Sequence, residues 1–220
     1  MPFIVAHRGF SGRYPEHTPE AFEAAFALPI HGVECDVRLS KNGELVVAHD
    51  PVKTSDGLMS LDELLDMFAA YPRHHLYIEI KHPSRFGPEV QEQTLRTLRH
   101  HRLHADLRIH IISFNRKAVR YFRARAPELE TFQLMRPRDR CSPVPGGGIG
   151  PSISMLQNQP ELLRRGGART YTWTVNTPLK MQWCAEHGVD VFATDLPDLA
   201  LETLGTISKH GTKETEKDQE

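Results

Sequence analysis

Short apolar runs rich in β-branched residues recur along most of the chain and are separated by segments with helical periodicity. Runs of this length, bounded by polar or turn-forming residues, are typical of buried strands. Eight such runs occupy residues 3–7, 32–37, 45–49, 76–81, 108–114, 130–134, 170–175 and 189–193. The pattern therefore predicts a sheet whose strands come from widely separated parts of the chain.

The segments between these runs carry the spacing of amphipathic helices. The best helical patterns cover residues 19–27, 60–70, 88–101, 115–126, 160–165 and 177–187. Ser60 with Glu63 resembles a capping box, and Asn115 and Thr177 are expected N-caps. Strands that alternate with helices imply parallel pairing, and this many of them favour an α/β fold closed into a TIM-like (β/α)8 barrel.

Two segments interrupt the regular alternation. Asn42-Gly43 lies between two apolar runs, which is a strong hairpin signal, so residues 37–49 are expected to form a small antiparallel hairpin near the C-terminal face of the barrel. This hairpin would bring His49 back toward the preceding strand. Residues 136–150 are rich in Pro, Gly and Arg and are interpreted as an irregular loop within the domain, because further strand and helix patterns follow them.

Length and composition favour a single domain. The chain has 220 residues, of which 39% are hydrophobic, and this is enough for one substantial core. We expect the barrel to occupy residues 1–207 and the polar residues 208–220 to form a disordered tail. Every apolar run is shorter than the roughly 20 residues of a membrane span, which predicts no stable membrane insertion.

The charge pattern narrows the class of partner. A formal net charge of -1, with 25% charged residues, gives no basic surface for nucleic acid, so a small-molecule phosphodiester would need local positive charge. The N-terminus lacks a signal-type segment, and Cys35, Cys141 and Cys184 lack metal or disulfide spacing. These features predict a cytoplasmic protein with free thiols, while the sequence carries no signal for an oligomeric state.

Two carboxylates lie two residues apart in the apolar run 32–37. Because side chains alternate along a strand, Glu34 and Asp36 face one side and Cys35 faces the other. Two buried anions require a compensating cation or a proton, so the pair predicts a metal site or a strongly perturbed acid. A solvated edge strand is the alternative, but the apolar neighbours of the two carboxylates disfavour it.

Glu79 adds a third carboxylate near the end of a later predicted strand, and Lys81 follows two residues on. In barrels of this class the reactive residues gather at the C-terminal ends of the strands. Three carboxylates favour a hard divalent cation, Mg²⁺ or Ca²⁺, over zinc, which prefers imidazole and thiolate ligands. An internal ion pair between Glu79 and Lys81 is a simpler interpretation that is compatible with the metal site.

Histidines and cations flank these carboxylates. His7 and Arg8 end the first predicted strand, and His49 ends the third. Imidazoles exchange protons near neutral pH, while Arg8 and Lys81 would bind phosphate, so the combination indicates phosphodiester hydrolysis. We assign His7 as base and His49 as acid, although the reverse fits the sequence equally well. The remaining histidines lack ligand spacing and are expected mostly at the surface; they include His74, His75, His100, His101, His104 and His110.

Eight short motifs follow one another between residue 4 and about residue 200. They are His7-Arg8-Gly9, Pro15-Glu16-x-Thr18, Gly32-x-Glu34-x-Asp36-Val37, His49-Asp50, Glu79-Ile80-Lys81, Ser113-Phe114, Trp173-Thr174-Val175-Asn176 and Thr194-Asp195-x-Pro197. In this order they resemble the glycerophosphodiester phosphodiesterase family. The ordered set is far more specific than any one motif.

This resemblance implies a TIM-like barrel, a divalent cation on Glu34, Asp36 and Glu79, and a histidine pair. It also implies hydrolysis of deacylated phospholipids, such as glycerophosphocholine, to an alcohol and glycerol 3-phosphate, with Trp173 near the alcohol. The alternatives are a lysophospholipase D or phosphoinositide-type phospholipase C-like activity, and a catalytically inactive barrel that binds phosphorylated ligands. The paired histidines disfavour the inactive barrel, because binding alone does not need them.

The chain departs from the family pattern at two places. The family usually has Glu-Asn-Thr where this chain has Glu16-His17-Thr18, so no role of that asparagine is carried over to His17, while Glu16 remains a candidate outer metal contact. The stretch between His49 and Ser60 is also short, whereas many relatives carry a longer insertion over the site. A more open pocket that admits lysophospholipids is the corresponding hypothesis.

Overall fold

The strands of the computed structural model form one sheet. The structure describes residues 1–82, 88–139, 144–163 and 165–205, so Cys141 and the expected tail at 208–220 lie outside the described residues. The strands are β1 (Phe3–Ala6), β2 (Gly32–Leu39), β3 (Leu45–Val47), β4 (His75–Ile80), β5 (Ile109–Ser113), β6 (Glu130–Met135), β7 (Gly148–Pro151), β8 (Tyr171–Thr172) and β9 (Val191–Thr194).

Eight of these strands form a parallel ring in the order β1, β2, β4, β5, β6, β7, β8, β9. β9, the last strand along the chain, pairs in parallel with β1, the first strand. Single parallel bridges, Ile149 with Thr170 and Ser152 with Trp173, connect β7 to β8 and complete the ring. The predicted α/β barrel is therefore confirmed, and the C-terminal ends of the eight strands meet at one mouth.

Among the described residues, a helix follows each of the parallel strands except β6. They are α1 (Pro19–Phe26), α2 (Leu61–Ala69), α3 (Glu89–His100), α4 (Arg116–Arg125), α5 (Ile153–Asn158), α6 (Pro178–His187) and α7 (Pro197–Thr203). Ser60 and Glu63 form the predicted capping box at the start of α2, and the side chain of Asn115 caps α4. Thr177 precedes α6, but no side-chain cap hydrogen bond forms there among the described residues. None of the described helices is long and apolar enough to cross a membrane.

The predicted hairpin is also present. β3 pairs antiparallel with β2, with Val37 opposite Val47, and the Asn42-Gly43 turn joins the two strands. The amide of Ala48 then donates a hydrogen bond of 2.9 Å to the carbonyl of Asp36. This bond holds the end of the hairpin beside β2 and delivers His49 to the barrel mouth.

The sequence interpretation of residues 136–150 as one irregular loop is wrong at its end, where β7 forms, and α5 and α7 were also not predicted. The cause is steric. A Cβ on Gly148 would lie 2.3 Å from a ring carbon of Phe132, and one on Gly150 would lie 2.6 Å from a methyl carbon of Leu134. The neighbouring strand fills the space in front of β7, so β7 carries glycine where a strand pattern would show large apolar residues.

Apolar side chains form two layers. The larger layer lies between the strands and the helices and includes Cys35, which confirms that this thiol faces away from Glu34 and Asp36. The smaller layer lies inside the barrel and consists of residues that face inward from the strands: Val5, Tyr77, Ile112, Phe132, Leu134, Tyr171, Val191 and Ala193. This apolar plug separates the mouth of the barrel from its N-terminal end.

A histidine pair lies inside the barrel at its N-terminal end. His75 Nδ1 is 2.8 Å from His110 Nε2, and His110 Nδ1 is 3.0 Å from a carboxylate oxygen of Glu130. Arg169 donates to the same oxygen at 2.8 Å. His110 is only 3% exposed, so the expectation that it lies at the surface is wrong. Its strand position directs the ring inward, where it stacks on Tyr77.

Candidate active site

A cavity of about 150 Å³ opens at the barrel mouth. Its walls come from the C-terminal ends of the strands and from the hairpin that follows β2. The lining includes seven side chains that the sequence singled out: His7, Arg8, Glu34, His49, Glu79, Lys81 and Trp173. The eighth, Asp36, is 1% exposed and contacts two of them directly. The fold thus brings together all of the predicted site residues.

Three carboxylates form the floor of the mouth. Strand pairing places Asp36 directly beside Glu79, and Glu34 lies two residues earlier on the same face of β2. One oxygen from each of Glu34, Asp36 and Glu79 lies within 4.8 Å of the others, and all three residues are buried. Such crowding is unfavourable without positive charge between or around the carboxylates.

Arg8 and Lys81 supply part of that positive charge. Lys81 Nζ lies 3.1 Å from Asp36 Oδ1 and 3.0 Å from Glu79 Oε1. Arg8 Nε lies 3.1 Å from Asp36 Oδ2, and the Arg8 amide donates to Glu34 Oε2 at 3.0 Å. The backbone of Arg8 is left-handed, with φ of 57°, and this turn after β1 directs its side chain back over the carboxylates.

The three carboxylates differ in acidity. Burial and the neighbouring carboxylates raise the pKa of Glu34 well above its usual range, and burial and Asp36 raise the pKa of Glu79 to about 7. Burial acts in the same direction on Asp36, but His17, Lys81 and Arg8 outweigh it and hold the pKa of Asp36 well below its usual range. Two of the three sites therefore retain protons readily when no further cation is present.

These residues fit a divalent cation. Both oxygens of Asp36 are buried and make no hydrogen bond of regular geometry among the described residues, although Arg8 and Lys81 lie within ion-pair distance. The oxygens of Glu34 and Glu79 complete a compact set of hard donors. Mg²⁺ and Ca²⁺ take carboxylate oxygens of this kind and would relieve the repulsion that raises the two glutamate pKa values.

His7 is held by a residue from the far end of the chain. His7 Nδ1 lies 2.6 Å from Asp195 Oδ1, while His7 Nε2 points toward Glu34 at 3.8 Å. Ser11 donates to the same Asp195 oxygen at 3.0 Å, and the Asn176 side-chain amide donates to the other. Burial opposes ionisation of Asp195, but the hydrogen bond from His7 lowers its pKa. His7 therefore donates its Nδ1 proton and presents Nε2 to the cavity.

The sequence motifs contained Asp195 and Asn176 without assigning either a role. The position of Asp195 was the available signal, because a residue that directly follows β9 lies at the mouth beside the end of β1, where His7 lies.

His49 enters the cavity from the hairpin. Its carbonyl accepts two hydrogen bonds from Arg38, at 3.1 Å from Nε and 2.7 Å from Nη2. Its Nδ1 lies 2.9 Å from Asp50 Oδ1, and its side chain is 38% exposed. Both histidines thus pair Nδ1 with an aspartate, but His49 is more open to solvent than His7, which is 17% exposed.

His17 occupies the position where the family pattern has asparagine. The residue is buried, adopts a left-handed φ of 61°, and places Nε2 3.2 Å from the Asp36 amide and 3.3 Å from Asp36 Oδ2. Burial lowers the pKa of the His17 imidazole. His17 Nε2 accepts the hydrogen bond from the Asp36 amide, so His17 supports the backbone of Asp36 beside the carboxylate cluster.

An aromatic wall bounds the other side of the cavity. The rings of Phe114 and Trp173 meet edge to face, with centroids 5.2 Å apart, and Trp173 Nε1 donates to the Gly150 carbonyl at 2.9 Å. Arg136 lies over the Phe114 ring, with 4.1 Å from its guanidinium carbon to the centroid. The sequence indicated Trp173 but did not single out Phe114 or Arg136, which also line the cavity. Arg136 was missed because it begins a segment with loop composition.

The glycerophosphoryl diester phosphodiesterase family matches the chain over residues 7–67 and 51–199. A Mycobacterium tuberculosis protein named "Probable glycerophosphodiester phosphodiesterase 1" is 31% identical over 96% of this chain and 95% of its own length. The glycerophosphodiester phosphodiesterase of Bacillus subtilis is 26% identical, with coverage of 89% of this chain and 84% of the relative.

Solved structures show the same fold. A glycerophosphodiester phosphodiesterase from Parabacteroides distasonis superimposes with a TM-score of 0.81, at 24% identity, over 93% of this chain and 97% of that chain. A phosphodiesterase from Oleispira antarctica, solved in complex with its product sn-glycerol-3-phosphate, gives a TM-score of 0.79 at 21% identity, again over 93% and 97%.

Proposed function

The chain belongs to the glycerophosphoryl diester phosphodiesterase family, and from this premise we propose that it hydrolyses glycerophosphodiesters to an alcohol and glycerol 3-phosphate. One observation carries the proposal: a mouth that combines three buried carboxylates, two cations and two inward-facing histidines in a single cavity. Each group has a task in phosphodiester hydrolysis, and binding alone would not need the two imidazoles.

Glu34, Asp36 and Glu79 would hold the divalent cation, Mg²⁺ or Ca²⁺, with one oxygen each. When bound, the cation supplies positive charge that attracts the phosphate and stabilises the additional negative charge of the transition state. Arg8 also pairs with Glu16 at 2.8 Å, so Glu16 and the three buried carboxylates exceed Arg8 and Lys81 by two negative charges, which a divalent cation would balance.

Arg8 and Lys81 would bind the non-bridging phosphate oxygens. Both cations already lie against Asp36, and both line the cavity, so each can contact a substrate oxygen without losing its carboxylate partner. Charged donors held in place before the reaction stabilise the transition state without further reorganisation. Trp173 and Phe114 would pack against the organic part of the substrate.

His7 and His49 would divide the proton transfers. In direct hydrolysis water attacks phosphorus, His7 Nε2 takes a proton from that water, the bond from phosphorus to the leaving oxygen breaks, and His49 protonates the leaving alkoxide. Asp195 supports the role of His7, because it fixes the ring with its Nδ1 proton donated and its Nε2 lone pair available. The same residues can serve initial attack by the glycerol 2-hydroxyl, in which case a cyclic phosphate precedes hydrolysis.

The test is a measurement of alcohol and glycerol 3-phosphate release from a panel of glycerophosphodiesters, with lysophosphatidylcholine included, before and after chelation and with Mg²⁺ or Ca²⁺ restored. We expect cation-dependent release from the glycerophosphodiesters. His7→Asn should lower kcat/KM by about 10²–10⁴-fold, whereas His100→Asn, at an exposed position, should leave it unchanged. Absence of release across the panel, or full activity of His7→Asn, would overturn the proposal.

Two further measurements refine the assignment. Trapping of a cyclic glycerol phosphate would identify attack by the 2-hydroxyl, and incorporation of labelled solvent oxygen without that intermediate would identify direct attack. Turnover of lysophosphatidylcholine would support the open-pocket hypothesis for the short stretch after His49, and its rejection beside ready turnover of glycerophosphocholine would count against it.

A further inference from the structure

Arg136 lies across the barrel mouth from the phosphate-binding groups. It directly follows β6, and β6 is four positions from β1 in the ring of eight parallel strands. In a closed ring this spacing places the end of β6 opposite the end of β1, which carries His7 and Arg8. A substrate whose phosphate lies beside Arg8 can therefore extend an arm across the cavity toward Arg136, which also lines it.

The position of Arg136 is fixed by a chain of contacts. Its guanidinium stacks on Phe114, the Phe114 ring meets Trp173 at an interplanar angle of 89°, and Trp173 is anchored to the Gly150 carbonyl. The Arg136 amide also donates to Asp139 Oδ2 at 2.7 Å, which holds the turn after β6. A stacked guanidinium keeps its edge available for hydrogen bonds in the plane of the group.

This guanidinium has no carboxylate partner among the residues that the structure describes. Other arginines near acidic side chains behave differently: Arg13 pairs with Asp198, and Arg108 pairs with Asp106. Arg136 is thus a positioned cation that lines a cavity, and its guanidinium donates no hydrogen bond to the residues that the structure describes. Such an arrangement suits an anionic group that can accept two parallel hydrogen bonds, as phosphate does.

We propose that Arg136 is a specificity-determining residue that selects glycerophosphodiesters whose headgroup carries a second phosphate. This inference rests on the proposed function, since it assigns the far arm of the same substrate. With a divalent cation bound, the cation, Arg8 and Lys81 offer positive charge to one phosphate, and Arg136 adds positive charge across the cavity. A substrate with two phosphate charges matches both, while a quaternary ammonium headgroup meets a like charge on the aromatic wall.

Three substrates separate the effect of a second phosphate from the effects of the glycerol arm and of a cationic headgroup. Bis(glycerophospho)glycerol carries a second phosphate, glycerophosphoglycerol has the same glycerol arm without it, and glycerophosphocholine carries a cation. We expect kcat/KM to fall in that order, by about tenfold or more from first to last at low salt, with the difference mainly in KM. Raising the ionic strength should reduce the advantage of the first substrate, because Arg136 is exposed to solvent.

Variants assign the preference to this side chain. Arg136→Gln should remove most of the advantage of bis(glycerophospho)glycerol over glycerophosphoglycerol, mainly by raising KM for the first substrate, while Arg136→Lys should retain part of the advantage. Arg138→Gln is the matched control, since it removes the same charge from an exposed residue two positions along that does not line the cavity. It should leave the order intact. Unchanged circular dichroism and Tm would establish that each variant folds.

The outcomes distinguish the two proposals. Turnover of any of the three substrates supports the proposed function whatever their order. Turnover with no preference, an equal loss on all substrates in Arg136→Gln, or the same loss in Arg138→Gln would overturn the assignment of Arg136 alone. Absence of turnover on all three would overturn the proposed function, and this inference with it.

Discussion

The two ends of the barrel interior contain the same kinds of charged side chain, but they differ in how those charges are paired. The N-terminal end holds His75, His110, Glu130 and Arg169 in a linear series of contacts in which the charged groups have opposite partners. The mouth crowds three carboxylates around Arg8 and Lys81 and leaves negative charge in excess. Residue type alone therefore does not identify a functional site; the balance of partners does.

The pKa values of the carboxylates differ between the two ends in the same way as their charge pairing. At the N-terminal end, burial opposes ionisation of Glu130, but His110 and Arg169 outweigh it and lower the pKa of Glu130. At the mouth, burial and the adjacent carboxylates raise the pKa values of Glu34 and Glu79. The first cluster stabilises the fold as it stands. The second is destabilising as it stands and becomes favourable when a divalent cation and an anionic substrate complete it.

The largest expected effect concerns activity. Asp36→Asn should lower kcat/KM for a glycerophosphodiester by about 10³-fold, because it removes the charge that would bind the cation and that pairs with Arg8 and Lys81. Glu130→Gln, which also neutralises a carboxylate inside the barrel, should keep activity per folded molecule within a few-fold of the wild type. Comparable losses in both variants would erase the functional distinction between the two ends.

The next effect concerns stability, where the variant at the N-terminal end, rather than the variant at the mouth, should show the loss. In the presence of a chelator, Glu130→Gln should lower the free energy of unfolding by about 2 kcal/mol, because it leaves Arg169 and His110 without their anion. Glu34→Gln should instead raise it by about 1 kcal/mol, because glutamine folds at neutral pH without the cost of either burying a carboxylate charge or taking up a proton. Urea unfolding of the three proteins measures both values. A loss of stability in Glu34→Gln as large as that in Glu130→Gln would contradict the account.

Many of the side chains at the barrel mouth could be predicted from the sequence, because strand alternation and the positions of strand ends determine where they lie. Alternation placed Glu34 and Asp36 on one face, and Asn42-Gly43 indicated the hairpin that returns His49 to them. The barrel rule then placed Glu79 and Lys81 at the same mouth. All of these are local signals combined with one rule about topology.

The remaining features depend on which strands become neighbours. Asp195 reaches His7 across 188 positions of sequence, and only the pairing of β9 with β1 joins them. β7 was missed because Phe132 and Leu134 fill the space that its own side chains would occupy. Arg136 lay in a segment of loop composition, and its place over Phe114 follows from the packing of the wall.

The smallest expected effect is on the pH dependence of stability. Burial and His110 lower the pKa of His75 from 6.5 to about 4, so the unfolded chain binds more protons than the native state between those values. The stability associated with neutral His75 is present above pH 6.5 and is lost as the pH falls toward 4. After allowance for its partial exposure, the loss should be about 1 kcal/mol.

Glu79 should act in the opposite direction in the chelated protein. Its native pKa of about 7 lies above the usual 4.5, so the stability that its proton confers is present below pH 4.5 and is lost as the pH rises through 7. Unfolding free energies of wild type, His75→Asn and Glu79→Gln between pH 4.5 and 7 separate the two contributions. Parallel pH profiles for all three proteins would show that neither end titrates as described.

The central claim is that the mouth carboxylates form one divalent-cation site and the carboxylate at the other end does not. Titration with Mn²⁺, followed by electron paramagnetic resonance of the free ion, tests it directly and independently of turnover. The account predicts one bound ion per chain in the wild type and in Glu130→Gln, competed by Mg²⁺ or Ca²⁺, and at least tenfold weaker binding in Glu34→Gln, Asp36→Asn and Glu79→Gln. Wild-type affinity in all three mouth variants, or no binding by the wild type, would contradict it.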